Sequence, residues 1–161
     1  MSGLFRLSTR QVAVYCPATV GQPVFQVDEL VAAGRNSEAK RIVVRGEVSN
    51  VPSVRPALGQ TLCGEDEHSS IAFADGFDGV QMSTENEIST LRLLASPTQR
   101  AIFNDTSVAS LGRMRLAGIT PTGQVQILAR DAIKSGHIDV DGLDIVAADA
   151  RTTERPHGFG V

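Results

Sequence analysis

The clearest alternation of apolar and polar positions in this chain begins at Arg41 and predicts a β-strand. Ile42, Val44 and Val48 fall on one face of that strand, whereas Arg41 and Arg45 fall on the other. Shorter β-rich segments predict strands at 11–16 and 24–27, and prolines and glycines predict a long irregular connection over residues 49–70.

Helical patterns are predicted in the first third and in the centre of the chain. Asp28 is a plausible N-cap for a short helix that ends at Gly34. The segment that starts at Thr84 has the form of a capping box, and Ile88 and Leu91 follow it at helical spacing. Further short helical turns are predicted from Ser96-Pro97 into residues 100–103, and from Asp105 or Thr106 to Gly112.

Two β-hairpins are predicted in the C-terminal half. The first joins 113–119 to 124–129 through a turn that contains proline and glycine. The second is predicted at Asp141-Gly142, a dipeptide typical of two-residue turns. That turn would place Asp139 opposite Asp144, and like charges in this position destabilise a hairpin. Three factors can offset this repulsion between carboxylates, namely hydration, a bound cation, or an arginine clamp formed by Arg113, Arg115 or Arg130.

These elements predict a mixed α/β (α+β) fold with short central helices and C-terminal hairpins. The length of 161 residues suits a single compact domain over residues 1–150, followed by a flexible polar tail over 151–161. The hydrophobic fraction is 42% but the aromatic fraction only 4%, so the core is predicted to be aliphatic.

The two cysteines, Cys16 and Cys63, are not arranged as a disulfide framework and are predicted to be buried reduced thiols. The first residues lack the apolar segment of a signal peptide, and no stretch approaches the length of a membrane span. A soluble, intracellular protein is therefore expected.

Charge is segregated along the sequence. Residues 56–91 carry seven acidic side chains and no Lys or Arg, although the chain has 15 basic residues in total. Such segregation produces surface fields of both signs that can orient a charged partner within about 8–10 Å. The acids proposed here for partner binding are Glu65, Asp66, Glu67, Asp75 and Asp78.

Arginine outnumbers lysine in this chain by thirteen to two, and its planar fork suits phosphate recognition. Arg113 and Arg115 are two residues apart and are therefore predicted to share one face of a strand. Aromatic residues that stack on single-stranded RNA are missing near these arginines, so an RNA-binding module is the lesser alternative. The candidate phosphate contacts are Arg41, Arg45, Arg113, Arg115 and Arg130.

The sequence contains no motif for nucleophilic catalysis, phosphate cradling or zinc binding. The consecutive acids at 65–67 cannot easily converge on one ion, so no metal and no cofactor are expected. The enzymatic alternative is a small hydrolase that uses a divalent metal at Asp75, Asp78, Asp139 or Asp144.

Taken whole, from Met1-Ser2-Gly3-Leu4-Phe5-Arg6-Leu7-Ser8 through the body, the chain resembles the assembly and packaging cofactor of the cystovirus polymerase complex, from double-stranded RNA bacteriophages. The likeness lies in size and general run of sequence. It implies a non-enzymatic minor protein of the inner capsid that assists procapsid assembly in the host cytoplasm and stabilises packaging of single-stranded genomic RNA. The implied partners are the capsid shell protein, the polymerase and the packaging motor, with single-stranded RNA and a homodimer as open options.

Overall fold

The computed structural model describes residues 15–130 and 132–145 and the backbone of residues 159–160. A 3-10 turn at Ala18–Val20 and the helix α1 at Val27–Arg35 are its helical elements in this part of the chain. The strands are β1 Gln22–Val24, β2 Arg41–Val44, β3 Glu47–Val51, β4 Thr61–Gly64, β5 Ser70–Phe73, β6 Val80–Met82, β7 Glu87–Ser89, β8 Arg92–Leu94, β9 Arg100–Asn104, β10 Ser110–Pro121, β11 Gln124–Gln126, β12 Ser135–Leu143 and β13 Phe159–Gly160.

Every strand pairing among the described residues is parallel, and the chain winds as a β-solenoid with three faces. Face A consists of β1, β2, β4, β7, the first part of β10, and β12. Face B consists of β3, β5, β8 and the end of β10, whereas face C consists of Val54, β6, β9, β11 and β13. The predicted mixed α/β fold is therefore wrong.

We number the coils from the one that begins with β2, so that coils 2, 3, 4 and 5 begin with β4, β7, β10 and β12.

The core is a set of aliphatic ladders inside the three faces. Residues in register on successive coils lie about 4.8 Å apart, so each inward side chain packs on its equivalents above and below. Because these side chains are fully or almost fully buried, each contributes on the order of 1.5–3 kcal/mol. The ladders are Ile42, Leu62, Ile88 and Leu116 on face A, Val48, Ile71 and Leu93 on face B, and Val54, Val80, Ile102 and Val125 on face C.

Helix α1 packs beside the first coil, where Leu30 and Ala33 join the same buried cluster as Val24. Its first turn is stabilised by Glu29, whose carboxylate accepts hydrogen bonds from the backbone N–H of Phe25 (2.7 Å) and of Gln26 (3.2 Å). The predicted helix in this region is confirmed, but it begins before Asp28 and includes Gly34.

The predicted central helices are wrong, because that part of the chain forms β7, β8 and β9. Ile88, Leu91 and Leu93 all reach the core, but they do so from two faces that meet at a corner. Because the chain turns a corner between β7 and β8, Ile88 and Leu91, which are three residues apart, both face the core. Two strands joined by a corner therefore give the same spacing of apolar residues as a helix. The segment 49–70, predicted as an irregular connection, likewise contains most of β3, all of β4 and the start of β5.

The predicted hairpins are also wrong. β10 and β11 lie on different faces and pair with neighbouring coils, and β12 runs without reversal through Asp141-Gly142. Gly142 instead turns the chain from face A to face B, and Gly123 turns it from face B to face C. The residue at the corner between faces A and B has a left-handed φ in four coils, namely Gly46 (65°), Thr90 (51°), Gly118 (60°) and Gly142 (70°).

Buried side-chain amides stabilise the turns. Gln60 is fully buried, and its Oε1 accepts a hydrogen bond from the N–H of Ala57 at 2.7 Å. Its Nε2 donates to the carbonyls of Ala33 in the last turn of α1 and of Asn36 and Ala39 in the turn that precedes β2, at 2.7–3.0 Å. One side chain therefore closes its own turn and binds the turn of the coil before it.

Asn86 and Gln99 repeat this arrangement. Each accepts a hydrogen bond from the N–H three residues earlier, from Ser83 at 2.7 Å and from Ser96 at 2.9 Å. Each also donates to carbonyls of the preceding coil and so ties one turn to the next, although the carbonyls of Ala57, Gln60 and Ala74 accept a backbone N–H as well. The acceptors are Ala57 and Gln60 for Asn86, and Ala74 and Phe77 for Gln99.

Cys16 and Cys63 form a disulfide, so the expectation of two reduced thiols is wrong. The N–H of Cys16 also donates to the carbonyl of Gly64 at 2.9 Å. The segment that contains Cys16 thus lies on the outer surface of face A, where Val43 and Cys63 are completely buried. The two cysteines are 47 residues apart, and the winding of the chain brings them together.

The predicted division at residue 150 falls among residues outside the described ones. Within the predicted tail, the backbone of 159–160 forms β13, which pairs in parallel with Val125 and Gln126 at the edge of face C. The N-terminal strand predicted at 11–16 lies outside the described residues up to position 14, and residues 15–16 are not in a strand.

We expect Gln60→Met to lower the free energy of unfolding by at least about 2 kcal/mol, because the four hydrogen bonds of the Gln60 amide to the backbone are lost and each is worth roughly 0.5–1.5 kcal/mol. The matched control is Gln22→Met on the exposed side of β1, where we expect a change within about 0.5 kcal/mol. Urea unfolding followed by circular dichroism measures both values. Equal losses in the two variants would contradict the role given to the Gln60 amide.

We expect Thr90→Gly to raise the free energy of unfolding by about 1 kcal/mol. Thr90 has a left-handed φ, and its buried hydroxyl has no hydrogen-bond partner among the described residues. The equivalent corner residues in coils 1, 4 and 5 are glycines. Ser89→Gly, in the neighbouring extended position, is the control and should lose about 0.5–1 kcal/mol, so a loss in both variants would contradict the argument.

Candidate interaction surfaces

The acidic block does not form one patch. Residues 65–67 lie at the corner between faces A and B in coil 2, whereas Asp75 and Asp78 lie at the corner between faces B and C. The four residues of β5 separate the two groups by about 13 Å. Acids from one stretch of sequence without Lys or Arg thus lie at two different edges of the solenoid.

At its corner, Glu65 is in line with Arg45 of coil 1 and with Phe25, which precedes coil 1. Its Oε2 lies 2.5 Å from Nε of Arg45, and the Arg45 guanidinium lies 4.8 Å from the ring centroid of Phe25. An arginine over an aromatic face is favourable, and the carboxylate adds an ion pair. Arg45 and Glu65, predicted for opposite kinds of partner, therefore bind each other.

Asp66 and Glu67 have different roles in the corner loop. Oδ1 of Asp66 accepts hydrogen bonds from the N–H of His68 (2.9 Å) and from Oγ of Ser69 (3.3 Å), which fixes the loop. Glu67 has a side chain that is 74% exposed and lies 3.5 Å from Nε2 of His68. Glu67 is therefore the acid of this loop that is most available to a partner.

Asp78 is held by Arg100 of the next coil. Its Oδ1 accepts the Arg100 N–H at 2.9 Å, and its Oδ2 lies 3.0 Å from Nε and 2.5 Å from Nη2 of the same residue. Burial by itself raises the pKa of Asp78, but the hydrogen bonds and charge of Arg100 outweigh it and lower the pKa below its ordinary value. Asp75, in the neighbouring turn, is exposed.

Arg113 and Arg115 share the outer surface of β10, as their spacing predicted. Arg113 Nε lies 2.6 Å from Oδ2 of Asp139 on the adjacent β12, and Nε2 of His137 lies 2.9 Å from Oδ1 of the same carboxylate. Arg115 Nη1 lies 3.7 Å from Oε1 of Glu87 on the other side. Both arginines thus have carboxylate partners on neighbouring coils.

Asp139 does not lie opposite Asp144, because both belong to one stretch of chain without a hairpin. The clamp by Arg113 is nevertheless present, and it acts from the parallel neighbour strand. Hydrogen bonds from Arg113 and then from His137 lower the pKa of Asp139 below its ordinary value.

The remaining predicted phosphate contacts are spread over the surface. Arg41 is exposed on face A, in register with Thr61, Glu87 and Arg115, and so lies about 14 Å from Arg115. Arg130 is exposed after β11, on the side of face C. The five arginines therefore do not form one surface.

The carboxylates proposed for metal binding are not brought together. Asp78 and Asp139 are each held by an arginine, in coil 2 and coil 5 respectively. Among the described residues no group of three or more His, Cys, Asp or Glu side chains is arranged to hold a metal ion.

Sequence reasoning missed a polar ladder on the outside of face C. Arg55 Nε donates to Oε1 of Gln81 at 2.7 Å, and Gln81 is in register with Phe103. The Arg100 guanidinium lies 4.2 Å from the Phe103 ring centroid, and its Nη1 lies 3.4 Å from Oε1 of Gln126. Val80, Ile102 and Val125 occupy equivalent positions of successive coils and are 22–23 residues apart. A repeat of apolar positions at this spacing is the sequence signal that could have revealed the ladder.

No helix in the described part of the chain is long and apolar enough to span a membrane. Comparisons with family models, with curated proteins and with solved structures give no match for this chain.

We expect Asp78→Asn to destabilise the protein at pH 7, and the difference from the wild type to shrink as the pH falls. A carboxylate whose pKa is lowered on folding adds stability above its unfolded pKa of about 3.9. That contribution is lost as the pH falls through the folded pKa, when both states become protonated. The free energy of unfolding measured from pH 7 to pH 2.5 tests this.

The control for this titration is Asp75→Asn, an exposed acid at the same corner. Because its side chain is exposed, this substitution should change the free energy of unfolding at pH 7 by less than about 0.5 kcal/mol. If the free energies of unfolding of Asp78→Asn and the wild type differed by the same amount from pH 7 to pH 2.5, the stabilising role given to the Asp78 carboxylate would be contradicted.

Proposed function

We propose that this chain is a non-enzymatic minor structural protein of a double-stranded RNA phage inner capsid. In this role it assists procapsid assembly and stabilises packaging of single-stranded genomic RNA. Its resemblance to the cystovirus packaging cofactor implies this role, together with the shell protein, the polymerase and the packaging motor as partners.

The observation that carries the proposal is the fixed placement of charge along the solenoid. Ion pairs between neighbouring coils hold the charged side chains in place, as at Arg45–Glu65 and Arg113–Asp139. A partner that docks on such a surface meets side chains that are already ordered, so less conformational entropy is lost on binding. The outer row of face A alternates in this way through Arg41, Thr61, Glu87, Arg115 and Asp139.

The corner loop of coil 2 is the acidic part of this docking surface. Asp66 fixes the loop, and Glu67 projects from it with most of its side chain in solvent. A rim charge of this kind mainly sets the association rate and its dependence on salt. A basic surface on the shell protein or the motor is the complementary partner.

The role is tested by reconstituting particles from shell protein, polymerase and motor with and without this chain. We expect fewer complete particles and less packaged RNA without the chain, and recovery when it is added back. Equal yields of packaging-competent particles without it would refute the proposed function.

The acidic loop is tested by the charge reversal Glu67→Lys. We expect slower recovery of assembly at low salt, by about tenfold, and a smaller difference at high salt, because salt screens the interaction. The matched control is Glu38→Lys, an exposed acid in the turn after α1 that should behave as the wild type. Equal effects of the two reversals would show that net charge, and not this loop, is responsible.

A further inference from the structure

We propose that the outer surface of face C is a binding site for single-stranded RNA, which rests on the proposed role in RNA packaging. Three guanidinium groups, two amides and an aromatic ring converge there from four successive coils. The groups concerned are Arg55, Gln81, Arg100, Phe103, Gln126 and Arg130.

The centre of the surface is a stacking platform. The Arg100 guanidinium lies over the Phe103 ring at 4.2 Å, and its edges are engaged by Asp78 and Gln126. Because its charge is paired with Asp78, Arg100 is suited to planar stacking more than to phosphate binding. Phe103 is buried beneath Arg100, so the face open to a base is the guanidinium plane, a group on which proteins stack unpaired bases.

The two other arginines supply charge at either side of the platform. Arg55 and Arg130 are both exposed, Arg55 beside Gln81 and Arg130 on the rim of the groove. The nearby acid Asp105 accepts two hydrogen bonds from Ser107, and its pKa is lowered by them and, less strongly, by the charge of Arg55.

The extent of the ladder suits a polymer. The groove beside Arg100 has a volume of about 170 Å³, below the roughly 300 Å³ of pockets that enclose a whole small ligand. The ladder continues over four coils, or about 14 Å, so that adjoining units of one chain can occupy it together. The amides of Gln81 and Gln126 can both donate to and accept from base edges and the 2′-hydroxyl.

The test is binding of fluorescein-labelled oligouridylate to the full chain, measured by anisotropy over a range of salt. We expect Arg55→Gln combined with Arg130→Gln to weaken binding at least about tenfold at low salt. The slope of log K against log salt should become shallower by about 1.4, since each phosphate on a single strand contributes about 0.7.

The matched control is Lys40→Gln combined with Arg92→Gln, which removes the same charge from the turn before β2 and from face B. We expect it to change binding less than about twofold, because charge outside the groove acts only at long range. Equal or larger loss in this control, or no binding by the wild type, would overturn the site.

A second variant, Arg100→Lys, keeps the charge but loses the planar group. We expect it to weaken binding to oligouridylate roughly fivefold or more and to leave the salt slope unchanged. Equal affinity of this variant and the wild type would overturn the stacking assignment. Circular dichroism and urea unfolding verify that each variant is folded.

The two proposals fail in different measurements. If particles need the chain but the chain does not bind oligouridylate, the RNA site is wrong and the assembly role stands. If the chain binds oligouridylate through face C but particles package RNA without it, the assembly role is wrong and the site stands.

Discussion

The solenoid depends on the pairing of backbone polar groups in turns that are stacked inside the structure. A buried backbone group left unpaired costs roughly 1–3 kcal/mol. Backbone hydrogen bonds close each turn, as from the Gln60 N–H to the Ala57 carbonyl, and the amides of Gln60, Asn86 and Gln99 join one turn to the next, since each accepts from its own turn and donates to the chain before it. Their placement keeps the coils in register, and the register places every ladder of side chains, both inside and outside.

The same register organises the charged surface. Arg45 and Glu65, Arg100 and Asp78, and Arg113 and Asp139 are 20–26 residues apart, which is the length of a coil. Each exposed pair adds little stability by itself. Together the pairs order the long side chains, so the faces of the solenoid present a fixed pattern of charge. This pattern links the fold to the two proposed interactions, with proteins at the acidic corner and with RNA on face C.

Part of the candidate site was predictable from the sequence and part was not. The common face of Arg113 and Arg115 followed from their spacing of two, which holds in any strand. Their partners Asp139 and Glu87 did not, because a contact between coils requires the coil length. The face C ladder was missed for the same reason, and so was the division of the acidic block between two corners.

The sequence by itself determined the helix α1 and part of the burial, since the alternation placed Ile42, Val44 and Val48 in the core, although Val43 is buried as well and the predicted strand is divided between β2 and β3. Only the tertiary structure decided how those elements connect. A spacing of three residues fits both a helix and two strands that meet at a corner, and a glycine at positive φ serves both a hairpin and a solenoid corner. Stacking on the neighbouring coil, which is not local in sequence, selects the corner, and the same winding brings Cys16 to Cys63.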